Sequence, residues 1–298
     1  MPAAEVDIDI ALVQRLLEDQ HRDLLGLPLS LVANGWDNVL VRLGKDLAVR
    51  LPRHSAAAVL VANEIEWLPL IAPGLPLPVP EPVRVGGPTD YYPFGWTVVP
   101  WFEGHPAGAG DPIDTTVAAE TLGGFVAALH RLAPMDAPLN PWRGGPLEDR
   151  DDLTMKRLRA VQPLLVDGGV SPPALADAWR RAVETPRWDG AALWLHGDLH
   201  PMNIVASGGY LAAVIDFGDI TSGDPATDLL GAWSLFGSAD RAVFRSAAAS
   251  LNDPIDDDTW QRGRGWAVTH SLAILSDADS PAPLRTCALR ALREASTA

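Results

Sequence analysis

The sequence predicts an α+β, bilobal protein with a small β-rich N-terminal lobe and a larger helical C-terminal lobe. Strand-like apolar runs fall within residues 29–52 and 83–101, whereas helical periodicity dominates from residue 115 onward. A strand-rich front followed by a helix-rich remainder is typical of α+β architectures. We therefore expect residues 1–101 to form the first lobe and residues 102–298 to form the second.

Length and composition allow a large core and argue against several classes of function. The chain has 298 residues, 47% of them hydrophobic, and a formal net charge of −15. Nucleic-acid binding needs a basic face, so this charge argues against it. The single cysteine, Cys287, permits no intrachain disulfide, and the N-terminus lacks a signal-peptide pattern. Because no apolar stretch approaches the ~18 residues of a membrane span, we expect no membrane-spanning segment. We expect a cytoplasmic protein, either a monomer or a dimer.

The first lobe opens with a strand, a turn and a second strand. Leu29–Ala33 and Val39–Leu43 are apolar runs, and Gly35 lies in the segment between them. This pattern predicts a hairpin. With one glycine, the turn by itself fits a purely structural hairpin as well as a ligand-binding one.

A third strand is expected at Leu47–Leu51. Side chains alternate between the two faces of a strand, so Ala48 and Arg50 share one face and the larger apolar residues share the other. The segment that follows has a helical pattern, in which Glu64 borders the apolar face and Glu66 points elsewhere. We expect Glu64 to be the carboxylate that orients Arg50, with a solvated helix glutamate as the alternative.

Two further elements follow in order. Trp96–Pro100 is an apolar strand that leads into a bend, and Thr115–Leu132 has the periodicity of an amphipathic helix. The residues expected on the apolar face of that helix are Leu122, Phe125, Val126 and Leu129.

The most informative segment lies in the second lobe, at residues 196–218. It reads His-Gly-Asp-Leu-His-Pro-Met-Asn and, thirteen residues after the asparagine, Asp-Phe-Gly. Asp198 and Asn203 have the spacing of the aspartate and asparagine in the catalytic loop of protein kinases, and Asp216 opens a metal-binding triplet. Carboxylate and amide oxygens are hard ligands that suit Mg²⁺. The pattern predicts Mg²⁺-dependent phosphoryl transfer.

The residues around the motif support a single site. Ala192–Leu195 is a short apolar run that ends where the motif begins, which predicts a loop after a strand. The runs at 203–206 and 211–215 flank a Ser-Gly-Gly turn signal. A hairpin there would bring Asn203 and Asp216 to the same end, where both could reach one metal ion. The alternative is a chance coincidence of common acidic triplets, which the agreement of spacing, order and turn disfavours.

The chain resembles the aminoglycoside phosphotransferase family, small-molecule kinases that share the protein-kinase fold. The resemblance rests on the H-G-D-x-x-x-x-N loop, in which Gly197 stands where protein kinases have arginine, and on Asp216-Phe217-Gly218. It covers the chain from about Leu29 to the end and is weak beyond about residue 235. It implies a bilobal protein-kinase-like fold.

The resemblance implies a role for each residue of the motif. Asp198 would orient the acceptor hydroxyl and accept its proton, while Asn203 and Asp216 would bind Mg²⁺ at the phosphates. Asp228 matches the family aspartate that binds backbone groups of the catalytic loop. His196 is expected to organise that loop from a buried position.

The nucleotide would be held by the first lobe. The turn at Gly35 would close over the phosphates, and Ala48 would face the base. Arg50 stands where the family strand carries a phosphate-binding lysine. Arginine keeps its charge and contacts phosphate in a bidentate way, so we expect Arg50 to take this role, with Lys45 as a substitute.

Purine recognition is expected at the interlobe hinge. Pro100 has no N–H, so the donor would be the Phe102 amide, and the acceptor would be the carbonyl of Pro100 or Trp101. The side chains at this hinge do not distinguish an adenine-binding site from a guanine-binding one. ATP is the default donor, and GTP is the alternative.

The acceptor is expected to be a small hydroxylated molecule, most simply an aminoglycoside or another antibiotic such as a macrolide. The surplus of negative charge favours a cationic one, and candidate carboxylates lie at 148–152 and 253–258. Such an acidic run is more often a solvated helix start. Trp266 and His270 could line a pocket, although core positions are favoured for both.

Two alternatives remain open at this level. The acceptor could be a metabolite of the homoserine, choline or sugar type. From a different class, the chain could be a catalytically idle nucleotide-binding regulator, an interpretation that rests on the arginine at position 50.

Overall fold

The structure is a computed structural model that describes residues 3–249 and 255–297. The chain divides into two compact units. The first consists of Met1–Gly74, Pro78–Glu103 and Asp216–Ile220, and the second consists of Leu75–Leu77, Gly104–Ile215 and Thr221–Ala298. The boundary after residue 101 stays a prediction, and this division differs from it in three places: the first unit extends to Glu103, Leu75–Leu77 group with the second unit, and the five residues that begin with the Asp-Phe-Gly triplet group with the first.

The first unit contains a five-stranded sheet with the strand order β1-β2-β3-β5-β4 and antiparallel pairing throughout. Its strands are β1 Leu29–Asn34, β2 Asn38–Leu43, β3 Leu47–Pro52, β4 Arg84–Gly86 and β5 Trp96–Pro100. Its helices are α1 Ile10–Gln20 and α2 Ser55–Ile71. The strands predicted at 29–33, 39–43, 47–51 and 96–100 and the helix that carries Glu64 are confirmed.

The core of the first unit lies between α1 and one face of the sheet. Val49 and Leu51 belong to this core and are fully buried, together with Leu16 of α1. Ala48 is also buried but lies outside that core, on the face of β3 that carries Arg50. The alternation expected for β3 is therefore confirmed, and it places the guanidinium on the face opposite the α1 core.

The second unit is mainly helical. Its helices are α3 Thr115–Leu129, α4 Asp151–Ala160, α5 Gln162–Asp167, α6 Pro172–Glu184, α7 Leu230–Leu235, α8 Ser238–Ala248, α9 Asp257–Ser276 and α10 Ala282–Thr297. Its strands are β6 His105–Pro106, β7 Leu193–Leu195, β8 Ile204–Ser207, β9 Tyr210–Val214 and β10 Thr221–Gly223. They form a β6-β8-β9 sheet and a β7–β10 pair, both antiparallel. The α+β fold class is confirmed.

The predicted hairpin before the Asp-Phe-Gly triplet is confirmed as β8–β9. Ser207 pairs with Tyr210, so Gly208 and Gly209 are the two turn residues. Their φ angles are 59° and 86°. Positive φ at both central positions is the requirement of a type I′ turn, whose twist matches that of the strands it joins. The glycines thereby fix the register of the hairpin that follows the motif.

The helix predicted at 115–132 is correct in its apolar face but wrong in its end. All four residues expected on that face are fully buried, yet α3 ends at Leu129. The chain then turns to pair with β7, because the Arg131 carbonyl accepts from the Trp194 amide at 2.9 Å and Leu132 forms a bridge with Leu193. Strand pairing thus ends the helix three residues before its apolar pattern does.

The acidic run at 253–258 is a helix start in the part that the structure describes; Asp253 and Pro254 lie outside the described residues. Asp256 is the N-cap of α9 and accepts from the Thr259 amide at 2.6 Å. Asp257 pairs with Arg245 at 2.6 Å.

Across the described ranges, none of the helices combines the length and the apolarity that crossing a membrane requires.

Two neighbouring glycines of α3 provide a test of its packing on α8. A Cβ at Gly123 would lie 2.6 Å from the Phe244 carbonyl oxygen and 2.7 Å from Ala247 Cβ, whereas a Cβ at Gly124 would meet nothing within 4 Å. Gly123→Ala should destabilise the fold by roughly 1–3 kcal/mol through overpacking. Gly124→Ala should stabilise it by roughly 0.5–1 kcal/mol through lower backbone entropy in the unfolded chain. Urea unfolding of both variants measures the difference, and equal effects would contradict the close α3–α8 contact.

Candidate catalytic site

A buried carboxylate holds the first residues of the motif loop. Asp228 is fully buried and lies in a 3₁₀ turn, Pro225–Leu229, that precedes α7. Its two oxygens accept from the His196 amide and the Gly197 amide, each at 2.8 Å. His130 at the end of α3 contributes a third donor, with Nε2 3.2 Å from Asp228 Oδ2. Three elements of the second unit are thereby joined at one side chain.

The turn that carries Asp228 is itself fixed by an ion pair. Asp224 caps the turn by accepting from the Ala226 amide at 3.0 Å, as the Asp-Pro pair in the sequence predicts. The same carboxylate accepts from Arg262 Nε of α9 at 2.7 Å. Both side chains are buried, so removing one of them would leave an unpaired charge in the interior.

His196 links the two arms of the motif. Its Nδ1 accepts from the Asp198 amide at 3.2 Å, so Nε2 carries the proton and donates to the Ile215 carbonyl at 3.0 Å. The Ile215 amide in turn donates to the Asn203 carbonyl at 2.8 Å. His196 is fully buried. The loop around Asp198 and Ile215, the residue before Asp216, are thus held together by the His196 imidazole and by one main-chain hydrogen bond.

The Asp198 carboxylate receives four donors within the second unit. Its Oδ1 accepts from Arg143 Nη2 at 3.0 Å and His270 Nε2 at 2.8 Å. Its Oδ2 accepts from His200 Nε2 at 3.2 Å and Asn203 Nδ2 at 3.3 Å. Burial alone would raise the pKa of this carboxyl, but the charges of His200 and Arg143 and the hydrogen bonds from the two histidines hold the pKa well below its usual value. The group is an anion at neutral pH.

Two of these donors were not predicted from the sequence. His270 was expected in the core, and this is wrong: Trp266, one turn earlier on α9, is buried as expected, but His270 reaches Asp198. Burial lowers the pKa of His270, so the imidazole donates as a neutral group. Arg143 belongs to no motif. Its loop is fixed because the Gly144 amide donates to Thr227 Oγ1 at 3.2 Å.

The convergence of Asp198, His200 and His270 also fits a metal site by composition, since their ligand atoms lie within 4.8 Å of one another. The hydrogen bonds favour another interpretation. His200 Nδ1 accepts from the Met202 amide at 3.1 Å, so its Nε2 carries a proton and donates to Asp198. The Arg143 guanidinium on the same carboxylate would repel a cation. We interpret the cluster as a hydrogen-bonded anion.

A second group of residues lies in the first unit and is centred on Arg50. This side chain donates from Nη1 to Glu64 and from Nη2 to Asp216 Oδ1, the latter at 3.0 Å. Glu64 is 4% exposed, whereas Glu66, on the same helix, is exposed. Burial would lower the pKa of Arg50, but the charges of Glu64 and Asp216 outweigh it and raise the pKa. The pairing of Arg50 with Glu64 is the one predicted from the sequence.

Asp216 has an unusual backbone conformation. Its φ is 64° and its ψ is 67°, which makes it the one non-glycine residue with positive φ in the described ranges. An L-residue in this region carries strain, and such strain is concentrated at functional sites. One carboxylate oxygen accepts from Arg50, and the side chain is 54% exposed. Asp216 therefore presents a carboxylate oxygen in a fixed direction.

The remaining residues predicted to contact the nucleotide lie in the first unit. The Gly35 amide donates to the Asn38 carbonyl at 2.9 Å, and Arg53 Nη1 donates to the Gly35 carbonyl at 2.8 Å, so this turn is pinned. At the predicted hinge, the Trp101 amide donates to the Asp46 carbonyl at 2.8 Å. Lys45 is exposed in the turn before β3, which leaves Arg50 as the cation on the strand.

Comparison with solved structures identifies the class of fold. Aminoglycoside 2′-phosphotransferase-IIIa in its GDP complex aligns with a TM-score of 0.68 at 18% identity, covering 97% of this chain and 99% of that chain. The macrolide 2′-phosphotransferase MphH from Brachybacterium faecium aligns with a TM-score of 0.63 at 23% identity, covering 95% and 98%. The ADP-bound aminoglycoside phosphotransferase APH(2″)-Ib aligns at 0.58 and 14%, covering 97% and 98%. The fold is the kinase-like fold of these phosphotransferases.

The family follows from the sequence itself. The model of the phosphotransferase enzyme family (APH) matches residues 28–266, and the chain belongs to that family. A search of curated proteins found no match. The resemblance inferred from the motif loop is thus confirmed.

The contacts of Asp228 lead to a prediction about the motif loop. Asp228→Ala would leave two buried amides without acceptors, each costing about 1–3 kcal/mol. Hydrogen exchange at the His196 and Gly197 amides should accelerate by at least ~10-fold relative to the unsubstituted protein. Asp240→Ala is the matched control, because that carboxylate accepts from the Thr115 and Thr116 hydroxyls, both at 2.7 Å, and no motif amide depends on it. Unchanged protection in Asp228→Ala would contradict the bracing role.

Proposed function

We propose that this protein is a Mg²⁺-dependent O-phosphotransferase that moves the γ-phosphoryl group of ATP or GTP to a hydroxyl of a small molecule. The observation that carries the proposal is the state of Asp198: a carboxylate that is 22% exposed, kept anionic by four donors, on a loop that Asp228 braces. Asn203 follows at the spacing that phosphoryl transfer uses and hydrogen-bonds to the same carboxylate.

The side chains available for the metal have suitable chemistry. Nδ2 of Asn203 donates to Asp198, which leaves its amide oxygen for a cation. Asp216 uses one oxygen for Arg50 and is otherwise half-exposed. Amide and carboxylate oxygens are the ligands Mg²⁺ prefers. When bound, the ion would offset the charge of the phosphates.

The role proposed for Asp198 follows from its pKa. A carboxylate whose pKa lies well below its usual value is a weak base in the ground state. Its main task is therefore to accept a hydrogen bond from the hydroxyl and orient it. The hydroxyl oxygen forms a bond to the γ-phosphorus while the bond from that phosphorus to the β–γ bridging oxygen breaks, so the nucleoside diphosphate leaves and the hydroxyl proton passes to the Asp198 carboxylate. The hydrogen bonds that His270 and His200 donate keep the carboxylate in position for that contact.

The residues proposed for the nucleotide are those of the first unit. Arg50, oriented by Glu64, would contact the phosphates, the turn at Gly35 would cover them, and Ala48 would lie against the base. Residues 100–102 would recognise the purine, with the Phe102 amide as donor. Support comes from related folds determined with GDP, ATP or ADP.

The acceptor class is proposed from the family. Structures of this fold include a kanamycin complex and macrolide 2′-phosphotransferases, so hydroxylated antibiotics are the first acceptors to test, before metabolic ones. Two of the carboxylates first considered for attracting a cation have partners within the chain. Glu148 pairs with Arg187, and Asp151 accepts from Trp179 Nε1 at 2.6 Å. These residues give no support to a cationic acceptor.

The division of roles between two aspartates can be tested directly. Asp198→Ala should lower kcat by roughly 10²–10⁴ with nucleotide affinity nearly unchanged, since it removes only the group that orients the hydroxyl. Asp216→Ala should abolish the dependence of turnover on Mg²⁺. A nucleotide-consumption screen over aminoglycosides, macrolides and primary metabolites, with ATP and GTP in parallel, supplies the substrate. Equal loss of nucleotide binding in both variants would refute this division.

Arg50 and Lys45 form a matched pair for the phosphate contact. Arg50→Ala should raise the KM for nucleotide and lower kcat, and Arg50→Lys should keep part of the activity because the charge remains. Lys45→Ala removes an exposed cation just before β3 and should change neither the KM for nucleotide nor kcat. If Lys45→Ala were the damaging change, the phosphate cation would have been assigned wrongly. If the unsubstituted protein bound nucleotide without transferring phosphate to any acceptor, the idle-regulator alternative would be favoured.

A further inference from the structure

Arg150 is a half-buried cation that the proposed chemistry does not use. It lies at the start of α4, with its guanidinium carbon 4.7 Å from the centre of the Trp266 ring. Its Nη2 donates to the Pro141 carbonyl at 3.4 Å, a long contact. Its Nε is buried and has no hydrogen-bond partner in the parts of the chain that the structure describes. The guanidinium therefore has donor capacity left for a ligand.

The position of Arg150 relative to Asp198 follows from α9. Trp266 and His270 are four residues apart on that helix and so lie on one face, about 6 Å apart along the axis. His270 donates to Asp198, while Arg150 stacks on Trp266. Arg150 thus lies about one helical turn beyond the reacting carboxylate, on the same side of α9.

The charge around Arg150 is positive. Burial together with the charges of Arg143 and Arg157 lowers the pKa of Arg150 to about 10, and the neighbouring Asp149 opposes this only partly. Within residues 3–249 and 255–297, no carboxylate forms an ion pair with Arg150 or Arg157. The chain has 38 acidic and 23 basic side chains, so carboxylates are plentiful, yet within the described ranges none is paired with this guanidinium. An uncompensated cation of this kind suits an anionic ligand.

We propose that Arg150 binds an acidic group of the acceptor, a carboxylate or a phosphate, so that the substrate is a hydroxylated anion. This inference rests on the proposed function, because it names the acceptor class of the same site. Arg143 already neutralises Asp198, which lowers the repulsion that an anionic acceptor would meet there. The acceptor hydroxyl would then contact Asp198 while its acidic group lies about one helical turn away.

Two other roles for Arg150 give different results in experiments. Arg150 could act only as a support that joins the loop at Pro141 to Trp266, in which case its loss would lower stability without changing ligand preference. It could instead contact the phosphates of the donor, in which case its loss would weaken nucleotide binding. The test therefore measures stability, nucleotide affinity and anion affinity separately.

The probe set is D-gluconate, D-glucitol and D-glucamine, which share one carbon skeleton and differ at C1 as anion, neutral alcohol and cation. Calorimetry without Mg²⁺ measures binding of each to the full chain, since gluconate chelates metals. Inorganic sulfate serves as the probe for a phosphate-like group. The variants are Arg150→Met, Arg150→Lys and the control Arg159→Met, which removes the same charge from an exposed position of α4.

The proposal expects gluconate or sulfate to bind at least ~10-fold more tightly than glucitol and glucamine, the value of one charge-assisted hydrogen bond. Arg150→Met should remove this preference, Arg150→Lys should keep part of it, and Arg159→Met should stay within about twofold of the unsubstituted protein. The affinity for ADP should be the same in the unsubstituted protein and in the three variants. Stronger binding by gluconate than by sulfate would assign the acidic group as a carboxylate, and the reverse would assign a phosphate.

Three results would overturn the proposal. They are tighter binding of glucamine than of gluconate, an anion preference that survives Arg150→Met, and a loss of ADP affinity in place of anion affinity. Failure of the proposed function is distinguishable, because it would appear as absence of phosphoryl transfer to every acceptor while these binding preferences stayed as measured.

Discussion

The motif loop depends on two hydrogen bonds, which the His196 and Gly197 amides donate to the Asp228 carboxylate. Gly197 has a φ of 84°, so the chain turns sharply here and its amides point inward, away from any strand partner. A buried carboxylate is the acceptor that can satisfy both amides at once. Because the turn that carries Asp228 is anchored by the Asp224–Arg262 pair, the position of Asp198 is set ultimately by the packing of α9.

In the first unit, a cation is fixed between two partners in the same way that Asp228 fixes the two amides. Arg50 is held between a buried glutamate of α2 and an exposed aspartate of the Asp-Phe-Gly triplet. Arginine suits this arrangement because its planar fork serves two carboxylates simultaneously, which a lysine ammonium does with less directional control. An arginine at this position of β3 is therefore compatible with an ordered site, because the buried Glu64 pairs with it.

Most of the fold was accessible from apolar runs, periodicity and turn chemistry, since β2 alternates in burial along its length and the Gly208-Gly209 turn specifies its own hairpin. The end of α3 was not accessible, because the pairing of Arg131 and Leu132 with β7 involves residues about 60 positions away. In the site, motif spacing identified Asp198 and Asn203. It could not identify Arg143 and His270, which reach Asp198 from a loop and a helix at sequence separations of 55 and 72 residues.

The left-handed backbone at Asp216 has a consequence for how this protein can change by mutation. An aspartate there costs about 1–2 kcal/mol relative to a residue that tolerates positive φ. A glycine at this position would relieve the strain and remove the carboxylate that Arg50 contacts. Random substitution under selection for thermal resistance alone would therefore tend to enrich chains that fold better and lack this carboxylate, so heat tolerance and the metal-binding role proposed for Asp216 are opposed at a single codon.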